Sequence, residues 1–445
     1  MLNPSIFKAY DIRGLYPSEI DEDGAFHIGQ ALVDFTGAKN VLVGRDMRTS
    51  SLALSNALIA GITKARANVF DVGLVSTPEL YFAVSRTESD AAVVVTASHN
   101  PQPWNGFKMY GATLTPIGKG CGMEEISYLS QSSSFLKSPQ EGKRENLDLS
   151  LDYARYLSSF AKFGNKKFKI VVDCANAMGA REVPALKKLP NVTLDILFGE
   201  LDGTFPNHEA NPIKIETLKV LRNRVRETGA DVGIAYDGDA DRLGVVDENG
   251  DPVPADIVTA IVARALLREN KEGVILYDLR SSRVVKETIL KAGGVAIECR
   301  VGHAYIKKEM RELEAIFAGE LVGHFYFNDM YPAESSTRAA ILLLNEIART
   351  GKKCSELVVE LSVYAKSEEM NFAVVDKEEL LAKLKEVYKD GEQSELDGLK
   401  VAYPDWWFSI RASNTESLVR LNVEAIDQSL LKQKIDELVK QIGNR

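Results

Sequence analysis

The sequence predicts an α/β protein built from three related α/β domains in succession, followed by a smaller α+β domain. Two observations carry this. Apolar strands run directly into polar loops at 91–95, 231–236 and 274–277, with helical apolar spacing in the segments between them. Beyond the charged stretch Lys366-Ser367-Glu368-Glu369, short strands mix with helices, and the chain closes on a stripe of Leu431, Ile435, Leu438 and Ile442.

A chain of 445 residues exceeds what one core can organise. Domain ranges of 1–150, 151–250, 251–365 and 366–445 follow from the polar stretch 130–145, the Asn249-Gly250 turn and the charged linker. The net charge of −9 argues against a nucleic-acid partner, which calls for a basic stripe. The four cysteines lie far apart without C-x-x-C spacing, so neither a zinc site nor a disulfide framework is expected. With no run of 18 apolar residues and no signal-like N-terminus, a cytoplasmic protein without a membrane partner is expected.

Taken in order, Tyr10 and Arg13 stand ahead of the first unit. The strand 41–43 leads to Gly44-Arg45-Asp46, and Leu54, Leu58 and Ile62 mark the following helix. The strand 91–95 ends in Thr96-Ala97-Ser98-His99-Asn100-Pro101, where Asn-Pro forces a turn and leaves Ser98 at a crevice. Asn105-Gly106-Phe107-Lys108 is expected to be a glycine turn that presents Lys108 beside this loop. In the second unit, the strand 168–173 precedes a helix expected to bury Ile215, Leu218 and Leu221. The third begins with a helix over 256–267.

Beyond the Ser98 loop, four further loops carry the chemistry. Asp237, Asp239 and Asp241 alternate in the loop after 231–236, and such carboxylates repel unless a cation lies between them; Mg²⁺ is the expected occupant. A calcium EF-hand loop fails because its sixth position, a required glycine, is Arg242. Gly319-Glu320-Leu321-Val322-Gly323-His324 brings a carboxylate and an imidazole out of apolar flanks, and Gly302-His303 offers a similar loop. In the last domain, Arg411-Ala412-Ser413-Asn414-Thr415-Glu416 and nearby Arg420 suit a phosphate dianion.

Together, from Tyr10 to Arg420, these stretches resemble the α-D-phosphohexomutase family, most closely its phosphomannomutase/phosphoglucomutase members. The resemblance implies mixed-sheet α/β domains and a TATA-binding-protein-like fourth domain, heart-shaped around a central cleft. It implies that Ser98 carries a phosphoryl group beside Mg²⁺ held by that phosphate and the three aspartates. A hexose phosphate is then isomerised through a hexose 1,6-bisphosphate, by a monomer or homodimer. By position, Tyr10, Arg13, His99, Asn100, Lys108 and Arg242 match residues around the transferring phosphate. Arg280, Gly302 and His303 match substrate contacts, Glu320 the reader of sugar hydroxyls, and His324 a candidate general acid or base. Arg411, Ser413, Asn414, Thr415 and Arg420 match the grip on the non-reacting phosphate.

Val322 departs from the serine common in the sugar loop, removing a hydroxyl able to bond the substrate. Leu321 stands where glucosamine phosphate mutases usually carry Gln. A mutase for mannose or glucose phosphates is the leading expectation. The glucosamine phosphate mutase, a non-catalytic sugar-phosphate-binding protein and a phosphatase are the alternatives.

Overall fold

The computed structural model describes residues 2–131, 141–329, 331–412 and 418–443. The first sheet is ordered Ile12–Leu15, Trp104–Tyr110, Ala91–Val95, Asn40–Arg45, Asn68–Leu74, Arg144–Asn146. Ala91–Val95 lies parallel to Asn40–Arg45 and antiparallel to Trp104–Tyr110. All five of its residues are buried, which accounts for its unbroken β-branched and small apolar composition. The helix Ser51–Lys64 buries Leu54, Leu58 and Ile62 as its spacing requires.

The second sheet runs Pro252–Val253, Leu243–Asp247, Val232–Tyr236, Phe168–Asp173, Val192–Leu197. The third runs Val295–Cys299, Val274–Asp278, Phe317–Gly319, Phe325–Phe327, Ala333–Glu334. All three sheets repeat one device. A buried strand pairs parallel with one neighbour, then turns back into an antiparallel partner, and the loop at that turn carries the polar residues. The serine, aspartate and Glu320 loops are therefore the same topological position in three successive sheets.

The fourth sheet is antiparallel, with Leu418–Ala425 between Ala365–Lys366 and Trp406–Ala412, and Met370–Ala373 also paired to it. The helices Lys377–Val387 and Gln428–Ile442 give Leu380, Leu384, Leu431 and Leu438 to its core. The loop expected to hold phosphate again joins two antiparallel strands, and Ser413, Asn414 and Thr415 lie outside the described residues. The second and third sheets share one apolar core, whereas the first and fourth keep their own.

Three expectations are corrected. Asn105-Gly106-Phe107-Lys108 lies within the strand Trp104–Tyr110, where Lys108 pairs with Val94. A Cβ at Gly106 would lie 2.0 Å from the Ile12 carbonyl oxygen, so this glycine serves close strand approach instead of a turn. Ile215 is exposed: a 3-10 turn, Ile215–Leu218, precedes the helix Lys219–Thr228, which buries Leu221 and Val225. Lys366 is no free linker residue, since Ala365–Lys366 pairs with Leu418–Ala425 and the Lys366 ammonium meets buried Asp256.

The first three domains meet at Glu182, which is buried and accepts hydrogen bonds from the hydroxyls of Ser76, Tyr153 and Thr337. Burial pushes its carboxyl up to about 7 against the hydrogen bonds from Ser76 and Thr337. The unfolded chain releases this proton near 4.5, so between 4.5 and about 7 the folded state binds more protons. Stability is expected to fall as pH rises through that window, by about 3 kcal/mol in total from this group. In pH-dependent denaturant unfolding, Glu182→Gln should flatten that slope; an unchanged slope would contradict the assignment.

Candidate active site

Ser98 sits at the tip of the first hairpin with φ +50°, a left-handed conformation uncommon outside glycine. Its N–H donates to Thr96 Oγ1 at 3.0 Å and its hydroxyl donates to Asp237 Oδ2 at 2.9 Å. His99 Nδ1 lies 3.3 Å from the same hydroxyl. Two domains thus contribute to one contact. A Cβ at Gly238 would fall 2.1 Å from the Ser98 carbonyl oxygen, so only glycine lets the aspartate loop come this close.

Asp237, Asp239 and Asp241 are all buried and present ligand oxygens within 4.8 Å of one another. Lys108 Nζ donates to Asp239 Oδ2 and Asp241 Oδ2, each at 2.6 Å, from the strand beside the serine loop. The first residue of the helix Thr77–Val84 meets Asp239 twice: its N–H donates to the carbonyl and its hydroxyl to the carboxylate. Burial and the charges of Asp241 and Asp239 hold the Asp237 carboxyl well above the usual range. Asp239 is instead lowered: burial opposes ionisation, but Lys108 outweighs it. Lys108 is in turn raised by Asp239 and Asp241 in spite of burial.

Asp239 Oδ1 and Asp241 Oδ1 are buried and have no hydrogen-bond partner among the described residues. Two orphaned carboxylate oxygens in a three-aspartate cluster fit a hard divalent cation. The triad is a candidate divalent-metal site.

A cavity of about 280 Å³ opens over this floor, lined by Tyr10, Arg13, Ser98, Lys108, Asp241, Arg242, His303 and His324 among others. Arg13 Nη1 donates to Asn100 Oδ1 at 2.7 Å, and Arg242 Nε donates to His324 Nε2 at 3.1 Å. The aspartate and Glu320 loops interlock here through a bridge between Arg242 and His324. Burial, Arg242 and Arg13 push the His99 imidazole down to about 2, and burial with Arg242 pushes His324 down to about 3. Both rings are neutral at ordinary pH. Gly302, with φ +121°, leaves room for Tyr10: a Cβ there would meet the Tyr10 hydroxyl oxygen at 2.7 Å. Tyr10 packs 5.3 Å from the His303 ring.

Glu320 accepts a hydrogen bond from the Tyr326 hydroxyl at 3.0 Å, and burial with nearby Asp278 pushes its carboxyl up to about 7. Arg280 is buried on Asp278, 4.0 Å from Glu320 and 3.6 Å from Glu369 of the fourth domain. Val322 is half-buried in the same loop. Arg411 pairs with Asp397 at 3.1 Å and Arg420 with Glu369 at 3.7 Å, so both cations stand at the fourth-domain hairpin.

Sequence reasoning passed over Thr77, Asp278, Arg48 and Glu334, which lines the cavity and pairs with Lys307 at 2.6 Å. Arg48 is buried behind the serine loop, donating to the Ser98, Asn100, Pro101 and Trp104 carbonyls. The sole signal in the sequence is an Asp-x-Arg spacing where the strand Asn40–Arg45 ends.

Models of the phosphoglucomutase/phosphomannomutase domains match along the whole chain. The alpha/beta/alpha domain I model matches residues 4–133, domain II 151–250, domain III 254–364 and the C-terminal domain 369–441. A phosphomannomutase of Methanocaldococcus jannaschii is 40% identical, over 97% of this chain and 96% of its own. One from Vibrio cholerae is 34% identical, over 98% of each. The crystal structure of a phosphoglucomutase/phosphomannomutase family protein from Burkholderia thailandensis superposes with a TM-score of 0.91 at 33% identity, covering 99% of this chain and 97% of that one. With its hairpin-tip loops meeting at one buried serine and three aspartates, the chain belongs to the phosphoglucomutase/phosphomannomutase family.

Proposed function

We propose that this protein is a phosphomannomutase/phosphoglucomutase that interconverts hexose 1-phosphates and hexose 6-phosphates through a phosphorylated Ser98 and a hexose 1,6-bisphosphate. The observation that carries the reading is the Ser98 hydroxyl, 2.9 Å from a carboxylate of the buried triad and at the edge of a cavity lined by cations. Asp237, Asp239 and Asp241 would hold Mg²⁺ together with the phosphate on Ser98. When bound, the ion supplies positive charge to the transferring group, which is the largest demand in phosphoryl transfer.

The chain's own groups do the rest. Lys108, Arg13 and Arg242 surround the transferring phosphoryl group with positive charge, and Asn100 fixes Arg13. His99 shares the serine hydroxyl. Glu320 and Arg280 read the sugar hydroxyls, with Gly302 and His303 shaping the wall beside Tyr10. His324 is neutral, so its Nε2 can take the proton of the attacking sugar hydroxyl once Arg242 turns to phosphate. Arg411 and Arg420, with Ser413, Asn414 and Thr415, grip the phosphate that is not reacting. The bisphosphate then turns end for end, and the same machinery serves the second transfer.

Curated relatives at 31–40% identity include several named phosphomannomutase and two named phosphohexose mutases, and the former favour mannose phosphate over glucosamine phosphate as substrate. No helix among the described residues is long and apolar enough to cross a membrane, and the four free cysteines suit the cytoplasm.

Phosphorus NMR of the protein with Mg²⁺, trace hexose 1,6-bisphosphate and mannose 1-phosphate should show a growing 6-phosphate signal. Ser98→Ala should abolish that signal while sugar-phosphate binding persists. Release of free phosphate would point instead to a phosphatase, and no change at all to a binding protein. Asp239→Asn removes one charge from the metal cage and should lower transfer by about 100-fold or more. Chelation should stop the wild type; activity surviving in chelator would remove the metal from the account. Arg411→Ala should raise KM by roughly 10- to 100-fold for both isomers, the range expected for a lost charged hydrogen bond. A rise confined to one isomer would contradict a grip shared by both orientations.

A further inference from the structure

Arg48 lies outside the cavity, with a side chain that has no solvent exposure. A guanidinium has five N–H donors in a rigid fork, and here each has an acceptor. Nε donates to Asp46 Oδ2 at 3.2 Å, Nη1 to the Pro101 and Trp104 carbonyls at 2.9 and 3.0 Å, and Nη2 to the Ser98 and Asn100 carbonyls at 2.8 and 2.6 Å. Four backbone oxygens from one short loop thus converge on one cation. Without it the like partial charges of these converging oxygens would repel one another, with the Ser98 carbonyl fully buried.

The loop is pinned from the opposite side as well. The Ser98 carbonyl sits between Arg48 Nη2 and the backbone of Gly238, where a Cβ would come within 2.1 Å. The Arg48 guanidinium lies 5.0 Å from the Phe205 ring, and a Cβ at Gly203 would be 2.7 Å from Arg48 Cα. Arg48 is therefore enclosed between the serine loop of the first domain and a loop of the second. These contacts hold Ser98 at φ +50°, a left-handed conformation that a residue with a Cβ adopts only at a cost.

We infer that Arg48 is the positioning residue for phosphoryl transfer: its guanidinium fixes the serine-loop backbone against the aspartate loop and thereby sets the Ser98 hydroxyl at its distance from Asp237. The inference rests on the phosphoserine reading. In that step the Ser98 Oγ–P bond forms as the phosphate ester bond to the sugar breaks, and the serine proton ends on the released sugar oxygen. Arg48 touches neither reacting atom. Its contribution is geometric, and a misplacement of about 1 Å in such a step costs about 100-fold in rate. Lysine cannot substitute, because one ammonium with three donors cannot span four carbonyls and Asp46.

The test follows label from ³²P-labelled hexose 1,6-bisphosphate onto the full-length protein, in wild type, Ser98→Ala, Arg48→Lys and Arg48→Ala, alongside hexose 6-phosphate affinity and thermal midpoint. Arg48→Lys should transfer about 100-fold more slowly while hexose-phosphate affinity stays close to wild type. Added guanidinium should restore transfer in Arg48→Ala by about tenfold or more, and methylammonium should not. A purely structural role would lower the thermal midpoint and leave the transfer rate of the folded protein and its guanidinium response untouched. Phe205→Ala, a half-buried loop substitution, keeps the test decisive should both Arg48 variants fail to fold: slower transfer supports the inference and wild-type transfer overturns it. If wild type takes up no label, the phosphoserine reading falls and this inference with it. If wild type is labelled and folded Arg48→Lys is labelled equally fast, only the role of Arg48 is overturned.

Discussion

The energetics of the site turn on three buried carboxylates that cannot remain ionised side by side without cations. Lys108 supplies one from a neighbouring strand, and bonds two aspartates at once. Asp239 Oδ1 and Asp241 Oδ1 have no hydrogen-bond partner among the described residues, and burial with the charges of Asp241 and Asp239 pushes the Asp237 carboxyl up. This unfinished charge balance is what fits the pocket to a divalent ion and, in the proposed function, to a phosphoryl group. The surrounding arginines then match the anion that arrives, within a chain whose net charge is −9.

The architecture delivers these groups by repetition. Each α/β sheet places a polar loop where a parallel-paired strand turns back antiparallel, and in the fourth sheet Trp406–Ala412 and Leu418–Ala425 pair antiparallel with Arg411 and Arg420 opposite each other. Rigid strands behind each loop fix its direction, while the loops remain free to differ in chemistry. Contacts between domains are made by the loops themselves: Ser98 with Asp237, Arg242 with His324, Arg280 with Glu369. Glu182 and the Lys366–Asp256 pair hold the domains in register from behind.

Much of this was legible in the chain. Ser98 before Asn-Pro, the alternating aspartates and the Arg411 hairpin stand out because loops at strand ends expose unusual residue types in tight spacing. Lys108 was legible as a cation beside the serine loop, but neither its bonds to Asp239 and Asp241 nor its place in a strand was, because Gly106 signals a turn and close strand approach equally well. Arg48 and Glu182 were not legible, since their roles arise from partners distant in sequence: Arg48 with a loop some fifty residues on, Glu182 with three other helices. Ile215 was misread because helical spacing alone cannot tell a 3-10 turn with an exposed first residue from the buried face of a helix.

The account stands on Ser98 as the one carrier of the phosphoryl group. Rapid-quench kinetics with labelled bisphosphate, followed by peptide mapping, tests that claim most directly. The account predicts one label per chain, mapped to Ser98 and discharged onto added hexose 1-phosphate at least as fast as steady-state turnover. Label on another residue, or discharge slower than turnover, would contradict it.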